Sequence, residues 1–593
     1  MLTAVLCATM SFAQSYGILV NDTCYYAGEP TGEFEGFKQY LAHVQVEAGD
    51  RCQLYDFQNK AKWVVELNTY SVEGFALNGD HYDVTASGCY DFYIKLKYEQ
   101  DELYIGAGSN CGQCVDISHG QPEIYTGSVP AQCTDVMFQC FYWDSYQDHG
   151  YGRTKWKDLL ADGQAEEIGK WFDLVWLPPM SSATGGTGYL PICYSSFSSS
   201  DWGTKTNLVP LITTLHQNGA KVVADIVINH VAGSSGWCSF SKQNFGSYGM
   251  FEPTAAWICS TDEMNYSDDA GDCKGKATGA VDDGYGDEAN YGSGRDWDHQ
   301  NAEVRAMFKA YLTWLRKEIK IDGFRYDYCK GFHNSHINEY NTAAKAYFSV
   351  MEMWDGNPDV LQAHLNDAGW NTLTFDFATK YQAFNQGIAS DNYGGLKGAG
   401  LLGAGKSRYA VTFVDSHDSF QRDDNEFCGY GNSMKYQGKL QQCYAYMLSM
   451  PGVPCVFYPH WVTFKEKLKP MINARYKTGV HSESAVSDEA GNGYYKATIT
   501  GTNGEIRVLI GPNSGYNSTP SGYTLAVKGE NYGVYYKLNS QRGDKDKNRT
   551  PQGLDEVQSD KELSTKGEKF VKNGELYIRC GEQVFDMMGR KVK

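Results

Sequence analysis

The 593-residue sequence has no excess of basic residues. It contains 52 Lys and Arg against 71 Asp and Glu, a formal net charge of −19. A nucleic-acid-binding protein needs a basic surface to face the phosphate backbone, so this charge argues against nucleic acid as a partner. No run after the first residues reaches the ~18 apolar residues that a transmembrane helix requires. Cys238, Cys259 and Cys273 lack paired C-x-x-C spacing, so a zinc site is weakly supported and a disulfide staple is the alternative.

Residues 1–13 are apolar and end in Ser11-Phe12-Ala13, a small-x-small pattern typical of signal-peptide cleavage. We therefore predict a signal peptide and export, giving a secreted or cell-surface protein; the alternative is a buried N-terminal strand. Export permits disulfides among the cysteines that remain after Cys7 is removed. Cys111 and Cys114 have redox-motif spacing but lie in a Gly- and Ser-rich stretch, which favours a structural bridge or free thiols over catalysis.

The length predicts several domains, because single cores rarely grow beyond ~250–300 residues. In the first of them Phe92 and Ile94 alternate with Asp91 and Lys95, which is typical of a half-buried antiparallel strand and favours a β-sandwich. The predicted divisions are a signal peptide at 1–13, an N-terminal β-sandwich at 16–108, a linker at 109–133, a barrel at 134–480 with a loop domain at 231–298, a C-terminal β-sheet domain at 481–538, and a linker and tail at 539–593.

From residue 136 onward, strand patterns alternate with helical patterns, the signature of a parallel sheet. The clearest helical pattern lies at 302–319, where apolar residues form one face, and another lies at about 464–478. Eight strands of this kind predict an α/β fold, a (β/α)8 barrel with insertions. The strand candidates are 136–139, 173–177, 222–228, 323–326, 348–353, 373–376, 410–414 and 453–457.

Four of these strands end in carboxylates, often beside a His or an Arg. The active sites of α/β barrels are built at the C-terminal ends of their strands. A single strand-end Asp is more often a helix cap or a salt-bridge partner, but several at one barrel face predict an active site. The four stretches are Asp225-Ile-Val-Ile-Asn229-His230, Gly323-Phe-Arg325-Tyr-Asp327-Tyr-Cys-Lys330-Gly331, Met351-Glu352-Met-Trp354-Asp355 and Phe413-Val-Asp415-Ser-His417-Asp418.

The carboxylates fit the chemistry of glycosidic-bond hydrolysis, in which one carboxylic acid protonates the leaving oxygen and a nearby carboxylate attacks the anomeric carbon. Asp327 and Glu352 end the consecutive fourth and fifth strands, so we expect them to lie close together. Arg325 is two residues before Asp327 and should hold it ionised. Glu352 needs a raised pKa to keep its proton. Asp418, just past the seventh strand, can close the site.

The four stretches resemble the signature regions of the α-amylase family, glycoside hydrolase family 13. The resemblance extends over residues 134–538 and includes Trp176-Leu-Pro-Pro179, Gly188-Tyr189-Leu-Pro191 and Pro451-Gly-Val-Pro-Cys-Val-Phe-Tyr458. It implies an endo-acting hydrolase of α-1,4-glucosidic bonds in starch or maltooligosaccharides that retains anomeric configuration. The alternatives are an α-glucan transglycosylase, a pullulan- or cyclodextrin-hydrolysing enzyme, a non-catalytic glucan-binding surface protein, and an intracellular glycogen or maltodextrin enzyme if residues 1–13 are not a signal.

The resemblance also implies a role for each site residue. Asp327 is then the nucleophile, Glu352 the general acid/base and Asp418 the transition-state stabiliser. The residues that would contact the sugar are Arg325, His230, His417 and Tyr189, with Lys330 on the leaving-group side. Two positions depart from the family: Ser416 stands where Asn is usual, and Met351 where a small residue is usual, which bears on substrate fit more than on activity.

A structural Ca²⁺ between the barrel and the loop domain is a further implication of the resemblance. Asn229, Asp296 and the Gly331 carbonyl match the family's ligands, with Asp283 or Asp287 as a fourth. Calcium takes six to eight oxygen ligands, which this Asp- and Gly-rich loop can supply. Without the resemblance, these acidic residues would equally well be solvated loop charges.

The two ends of the chain carry further resemblances. The N-terminal sandwich resembles carbohydrate-binding or accessory β-domains of bacterial starch enzymes, where Trp63 and the tyrosines could form a sugar platform or simply pack a core. The tail resembles the C-terminal sorting domains of Bacteroidetes proteins exported by the type IX pathway, which would attach the protein to the cell surface. That match rests on the strand-like runs at 570–579 and 584–592, and a simple hairpin is the alternative.

Overall fold

The computed structural model describes residues 16–21, 24–34, 37–56, 61–62, 73–78, 81–96, 102–108, 111, 115–116, 125–197, 201–286, 294–420, 439–539, 568–572, 575–580 and 583–586. The predicted signal segment, Trp63, Cys114 and Asp287 lie outside these residues. The chain divides into two compact units, Met1–Ile124 and Tyr125–Lys593. In the described part, no helix is both long and apolar enough to span a membrane.

The N-terminal unit contains two antiparallel sheets that share one core, as predicted for a β-sandwich. Ile18 and Leu54 from one sheet and Val44 and Phe92 from the other are buried in that core. The first sheet consists of Tyr16–Val20, Cys24–Ala27, Arg51–Asp56, Ala61–Lys62, Phe75–Asn78, His81–Val84 and Val115–Asp116, and the second of Glu29–Phe34, Phe37–Val46, Gly88–Leu96 and Glu102–Ala107.

The predicted linker at 109–133 is partly structured, which corrects the boundary drawn from composition. Val115–Asp116 pairs with Cys24–Ala27 in the first sheet, and Cys111 forms a disulfide with Cys89. At its other end, Cys133 is buried in the core of the second unit. These attachments could not be predicted from the Gly and Ser content of the stretch, because each of them depends on a partner elsewhere in the chain.

Eight parallel strands of the second unit form a closed barrel in chain order, which confirms the predicted (β/α)8 fold. Their described residues are buried almost throughout, as expected for strands that face the barrel interior on one side and a helical layer on the other. The barrel strands are β1 (Met137–Gln139), β2 (Leu174–Leu177), β3 (Lys221–Ile226), β4 (Gly323–Tyr326), β5 (Phe348–Met351), β6 (Leu373–Phe375), β7 (Ala410–Phe413) and β8 (Val453–Phe457).

The helices between the strands follow the apolar periodicity of the sequence. The helix predicted at 302–319 is an α-helix, Ala302–Trp314, that widens into a π-helical turn at Leu315–Ile319. The helix predicted to start near 464 begins six residues earlier, because Pro459 occupies its first turn, where proline is well tolerated. That helix is Tyr458–Thr478. In the described part of the chain, the other helices of at least eight residues are Gln164–Trp171, Lys205–Gln217, Ser335–Ala344, Pro358–Asp367, Lys380–Ile388 (π-helical) and Leu440–Ser449.

The insertion after β3 is held by short pairings rather than by long elements. His230–Val231 pairs with Arg295–Asp296, and Gln243–Asn244 with Met250–Phe251. Of the three cysteines predicted to staple this segment, Cys238 and Cys273 form a disulfide and Cys259 is a buried free thiol. The first and last residues of the insertion therefore pair with each other next to the end of β3.

After β8 the chain forms the predicted C-terminal antiparallel sheet. Its strands are Ala485–Gly491, Tyr494–Thr500, Gly504–Ile510, Thr524–Gly529 and Tyr532–Leu538. The tail differs from the predicted hairpin, since its described strands form a three-stranded sheet. The first strand-like run supplies two of them, and the three are Glu568–Lys572, Glu575–Cys580 and Gln583–Asp586.

Candidate active site

A buried guanidinium lies at the centre of the carboxyl ends of the barrel strands. Arg325 on β4 is 1% exposed. Its Nη1 donates to Asp225 Oδ1 at 2.8 Å and to Asp327 Oδ1 at 2.6 Å, and its Nη2 lies 2.8 Å from Glu352 Oε1. Strand periodicity places Arg325 and Asp327 on the same side of the chain, as predicted. One cation therefore orients three carboxylates that come from three consecutive strands.

Glu352 is held against β4 by the backbone as well. Its Oε2 accepts the Tyr328 N–H at 2.9 Å, and its own N–H donates to the Tyr326 carbonyl at 2.9 Å. The Asp327 and Glu352 carboxyl groups are thus bonded to the two terminal nitrogens of one guanidinium, which holds them close together. The sequence prediction that neighbouring strands would bring these two groups together is confirmed in geometry, while their catalytic roles stay predictions.

Asp418 completes the group through His417. The amide N–H of Gln139 on β1 donates to His417 Nδ1 at 2.8 Å. Since Nδ1 accepts, the imidazole proton is on Nε2, which lies 3.2 Å from Asp418 Oδ2. Burial, followed by the nearby Arg325 charge, lowers the pKa of His417 well below its ordinary value, so the ring is neutral. A neutral His417 can hold Asp418 in place by a hydrogen bond without adding a charge to the site.

Burial shifts the pKa of every carboxyl group at this site upward. It raises the pKa of Asp327 to about 6, outweighing the opposite effect of Arg325. The pKa of Glu352 is also raised, by burial first and by the Asp327 charge, in line with the prediction from the sequence. The pKa of Asp418 lies well above its ordinary value because of burial and the Glu352 charge. With Asp225 there are four buried carboxyl groups around one guanidinium, so the site retains a proton near neutral pH.

A pocket opens beside these groups and has one apolar wall. Its lining combines Arg325, Glu352 and Asp418 with aromatic side chains. Trp354, which follows β5, stacks on Phe377 at 4.8 Å between ring centroids. The full lining consists of Trp176, Arg325, Glu352, Phe375, Phe377, Phe413, Ser416, His417 and Asp418. An apolar surface beside a few convergent polar groups is the usual character of a ligand site.

Tyr189 lies in a stack of three parallel rings. Its ring is stacked on His417 at 5.2 Å and on Trp143 at 5.4 Å. Its hydroxyl donates to Asp225 Oδ2 at 2.8 Å, and the Trp176 indole N–H donates to the same oxygen at 3.0 Å. The stacked rings and the hydroxyl hydrogen bond thus both fix the orientation of Tyr189.

Two of the predicted sugar-contacting residues have other surroundings in the structure. His230 is 1% exposed, and its Nε2 donates to the Tyr189 carbonyl at 2.8 Å. Burial lowers its pKa to about 4, so it is neutral, and its hydrogen bond holds the Tyr189 backbone. Lys330 is half-buried, and its carbonyl accepts the Tyr285 N–H at 2.8 Å. A sugar contact by either side chain stays a prediction.

Sequence reasoning missed two residues of this site, Asp225 and Gln139. Asp225 lies within the first quoted stretch, and β3 pairs with β4 in a register that sets Asp225 opposite Arg325. Aligning β3 with β4 in this register would have identified Asp225 as a partner of Arg325. Gln139 is the last residue of β1 and carried no signal, because its role depends on His417, which is distant in sequence.

A second cluster, the cation pocket, lies where the insertion meets β3 and the segment after β4. No hydrogen-bond donor in the described part of the chain reaches Asn229 Oδ1, Asp282 Oδ2 or either carboxylate oxygen of Asp296. Asn229 and Asp296 are 0% and 1% exposed. A Cβ at Gly331 would lie 2.0 Å from Asn229 Oδ1, so this glycine backbone closely approaches the cluster. Buried acceptors without donors fit an oxygen-ligated cation.

Of the residues near the predicted fourth ligand, Asp282 is a better candidate than its neighbour Asp283. Asp283 lies 3.0 Å from His336 Nε2 and accepts the His333 N–H at 3.1 Å, so both of its oxygens have protein partners. Asp282 instead leaves Oδ2 without a donor. The other candidate, Asp287, lies outside the described residues.

Comparison with known proteins agrees with this geometry. Residues 166–490, more than half of the chain, match the family model "Alpha amylase, catalytic domain". "Probable alpha-amylase 2" of Arabidopsis thaliana is 29% identical over 453 residues, which cover 71% of this chain and 98% of that protein. "Glucan 1,4-alpha-maltotetraohydrolase" of Stutzerimonas stutzeri is 26% identical over 411 residues, covering 64% of this chain and 69% of that protein.

A solved structure shows the same fold. The α-amylase from Geobacillus thermoleovorans superposes with a TM-score of 0.50 at 15% sequence identity, over 70% of this chain and 100% of that chain. The closed barrel, the carboxylates converging on Arg325 and the extent of the family match lead to one conclusion: the chain belongs to the α-amylase family of glycoside hydrolases.

Proposed function

We propose that this protein is an endo-acting α-amylase that hydrolyses internal α-1,4-glucosidic bonds of starch and related α-glucans with retention of configuration. The observation that carries the proposal is the contact of Asp225, Asp327 and Glu352 with the single guanidinium of Arg325 beside an open pocket, in a member of this family. The names of the relatives, which refer to α-amylase and to glucan 1,4-α-maltotetraohydrolase activity, support an α-1,4-glucan as substrate.

In this mechanism Asp327 attacks the anomeric carbon, and Glu352 donates its proton to the leaving oxygen. Retaining enzymes require the two carboxyl groups to be only ~5 Å apart, and the attachment of Asp327 and Glu352 to one guanidinium favours this route over the inverting one. Arg325 orients Asp327 and stabilises its ionised form. In the second step Glu352 takes a proton from the attacking water, and the bond between sugar and Asp327 breaks.

The charges of the site suit these two roles. At pH 7 Asp327, with its pKa near 6, is largely ionised and can act as a nucleophile. The raised pKa of Glu352, caused first by its burial, favours the protonated form that the leaving oxygen requires. Asp418 approaches the sugar from the opposite side of the barrel mouth, where it can stabilise the oxocarbenium-like transition state. The aromatic wall and Tyr189 provide faces on which pyranose rings can pack.

The experiment that tests this function is a product profile from soluble starch, with Asp327→Asn beside the wild type. We expect mixed short maltooligosaccharides from the wild type, and loss of activity by about 10⁴-fold or more in the variant, since the nucleophile is removed while the shape is kept. Asp268→Asn is the matched control, because Asp268 is 98% exposed, and it should behave as wild type. Near-normal turnover by Asp327→Asn would refute the assigned mechanism.

The same profile separates the alternative functions. Larger or cyclic products would indicate a transglycosylase, and rapid cleavage of pullulan or cyclodextrin in preference to starch would indicate one of those specificities. Retention of starch on the protein with no products from either form would indicate a glucan-binding protein. Thermal unfolding curves of both variants show whether a loss of activity reflects loss of fold.

We also propose that the cation pocket holds a structural Ca²⁺ through Asn229, Asp282, Asp296 and the Gly331 carbonyl. A calcium ion there would neutralise the buried carboxylates and connect the insertion to β3 and to the segment after β4. Chelation should therefore lower the midpoint of thermal unfolding through loss of native-state binding. Asp282→Asn should reduce that calcium-dependent stabilisation and Asp268→Asn should not; an unchanged midpoint across chelator concentrations would contradict the calcium proposal.

We propose in addition that the protein is exported and attached to the cell surface. The apolar segment at 1–13 with its small-x-small ending supports a cleaved signal peptide, and the sequence of the tail supports a role in sorting to the cell surface. The N-terminal sandwich would then be an accessory or glucan-binding domain. Intact-mass measurement of the protein recovered from its native source tests removal of residues 1–13.

A further inference from the structure

The cation pocket contains a sulfur atom as well as oxygen atoms. Among the described residues, Cys259, Asp282 and Asp296 place potential metal-ligand atoms within 4.8 Å of one another. Cys259 is a free thiol and is 2% exposed. This separation is on the scale of two metal–ligand bonds placed end to end, so one ion could contact the sulfur and the carboxylates together.

The position of Cys259 is fixed by the backbone. Its N–H donates to the Asp296 carbonyl at 2.9 Å, and its carbonyl accepts the Asp262 N–H at 3.0 Å. The preceding residue, Ile258, forms a β-bridge with Trp297. Asp282 is held nearby, because its N–H donates to Thr261 Oγ1 at 3.1 Å. Paired backbone therefore fixes the main chain of Cys259 beside Asp296, and from there its sulfur lies within 4.8 Å of the carboxylate oxygens.

The other two cysteines of the insertion are not available to Cys259. Cys238 and Cys273 form a disulfide with each other, which leaves Cys259 reduced beside the acidic cluster. The independent sign of a ligand is the set of buried acceptors without donors, Asn229 Oδ1 and both carboxylate oxygens of Asp296. A cluster made only of oxygen atoms would favour hard cations, whereas a thiolate also selects soft or borderline ones.

We propose that Cys259 makes this pocket a mixed oxygen–thiolate site that binds a thiophilic divalent cation, Zn²⁺ or Cd²⁺, in competition with Ca²⁺. The inference rests on the cation pocket proposed above and adds to it the thiol of this chain. On binding, a metal–sulfur bond forms, the S–H bond breaks, and the proton passes to solvent, so no oxidant or reductant is involved. Asp282 and Asp296 supply the oxygen ligands and the negative charge.

The test uses the full chain, freed of metals with a chelator that is then removed, and titrates it with Cd²⁺ without added thiols. Coordination of Cd²⁺ by a thiolate gives an ultraviolet charge-transfer band, which reports the sulfur bond directly and does not depend on activity. We expect this band to saturate with one equivalent per chain. We also expect Cd²⁺ to displace Ca²⁺, measured as release of ⁴⁵Ca²⁺.

Two serine variants make the assignment specific. Cys259→Ser should abolish the band and weaken Cd²⁺ binding by about 10–100-fold, at least the effect of losing an outer-shell partner, with Ca²⁺ binding retained. Cys193→Ser is the matched control, since Cys193 is also a free thiol but lies outside the pocket, and its titration should match wild type. A band of unchanged intensity and affinity in Cys259→Ser would overturn the inference.

Asp296→Asn separates this inference from the calcium proposal. If Asp296→Asn loses both Ca²⁺-dependent thermal stabilisation and tight Cd²⁺ binding, while Cys259→Ser loses only the latter, both proposals are supported. If Asp296→Asn loses calcium stabilisation but Cys259→Ser binds Cd²⁺ as wild type does, the thiol inference alone fails. If Asp296→Asn keeps full calcium stabilisation and Cd²⁺ binding, the pocket itself is refuted. Melting curves recorded in saturating Ca²⁺ confirm that the cysteine variants are folded.

Discussion

A buried ion pair supports the turn that carries His417 and Asp418. Lys380 Nζ lies 3.0 Å from Asp415 Oδ1 and donates to the Val414 carbonyl at 2.6 Å. Both side chains of the pair are 4% exposed. Asp415 Oδ1 also accepts the Ser419 hydroxyl at 2.8 Å, and Ser419 Oγ in turn accepts the Ser416 N–H at 3.1 Å. The ion pair is thus connected to both ends of the turn.

Replacing Lys380 by Met removes the charge and keeps most of the side-chain length. Asp415 then remains buried without a cation, and breaking a buried pair in this way costs ~3–5 kcal/mol. The double variant Lys380→Met/Asp415→Asn leaves no unpaired charge and should recover a large part of that loss. Lys439→Met is the matched control because its partner Asp391 is 67% exposed, and a pair of that kind contributes ~0–1 kcal/mol.

The assay is urea unfolding followed by tryptophan fluorescence at fixed calcium, together with kcat and KM on a soluble maltooligosaccharide. We expect Lys380→Met to lower the free energy of unfolding and kcat together, since the turn positions Asp418. The double variant should regain stability more fully than activity. A free-energy change no larger than that of Lys439→Met, or no recovery in the double variant, would refute the reasoning.

Three further predictions concern the carboxyl groups around Arg325. The value of kcat/KM should fall by about tenfold per pH unit well below pH 6, since Asp327 must be ionised and its pKa is raised to about 6; a profile flat to pH 4 would contradict this. The raised pKa also affects stability. The contribution of Asp327 to the free energy of unfolding should be greatest when the pH is below 3.8, the ordinary pKa of Asp, and should be lost as the pH rises through about 6. Asp225→Asn should lower kcat by about 10–100-fold, the effect of losing a hydrogen bond to a charged group. An unchanged melting temperature in this variant would show that the loss comes from misplacement of Arg325 and not from misfolding.

The barrel could be predicted because its signals are local. Each strand is a short run of β-branched and aromatic residues, and the carboxylates follow at the strand ends, so the positions of Asp327 and Glu352 required only the order of the strands. The same holds for the helix that starts at Ala302, whose apolar face is continuous in sequence. Here local pattern and final structure agree because a parallel barrel strand is buried along its whole length.

The features that were missed depend on contacts between distant residues. Asp282 and Asp283 are adjacent and chemically identical, and only the approach of His336 and the His333 N–H decides which of them keeps a buried oxygen without a donor. The structured part of the predicted linker requires a strand that lies about ninety residues earlier, Cys24–Ala27. No periodicity or composition of a single segment contains that information.

The closure of the barrel has a consequence for how activity is acquired during folding. Strand β1 pairs with β8, so that Met137 lies beside Cys455, and Gln139 on β1 is bonded to His417 after β7. The first and last strands must therefore meet before His417, and with it Asp418, is fully held. Contacts between such distant parts of a chain form slowly. The rate at which hydrolytic activity returns during refolding would thus report when β1 pairs with β8. A chain cut between β1 and β8 would have to reassemble before it could turn over substrate.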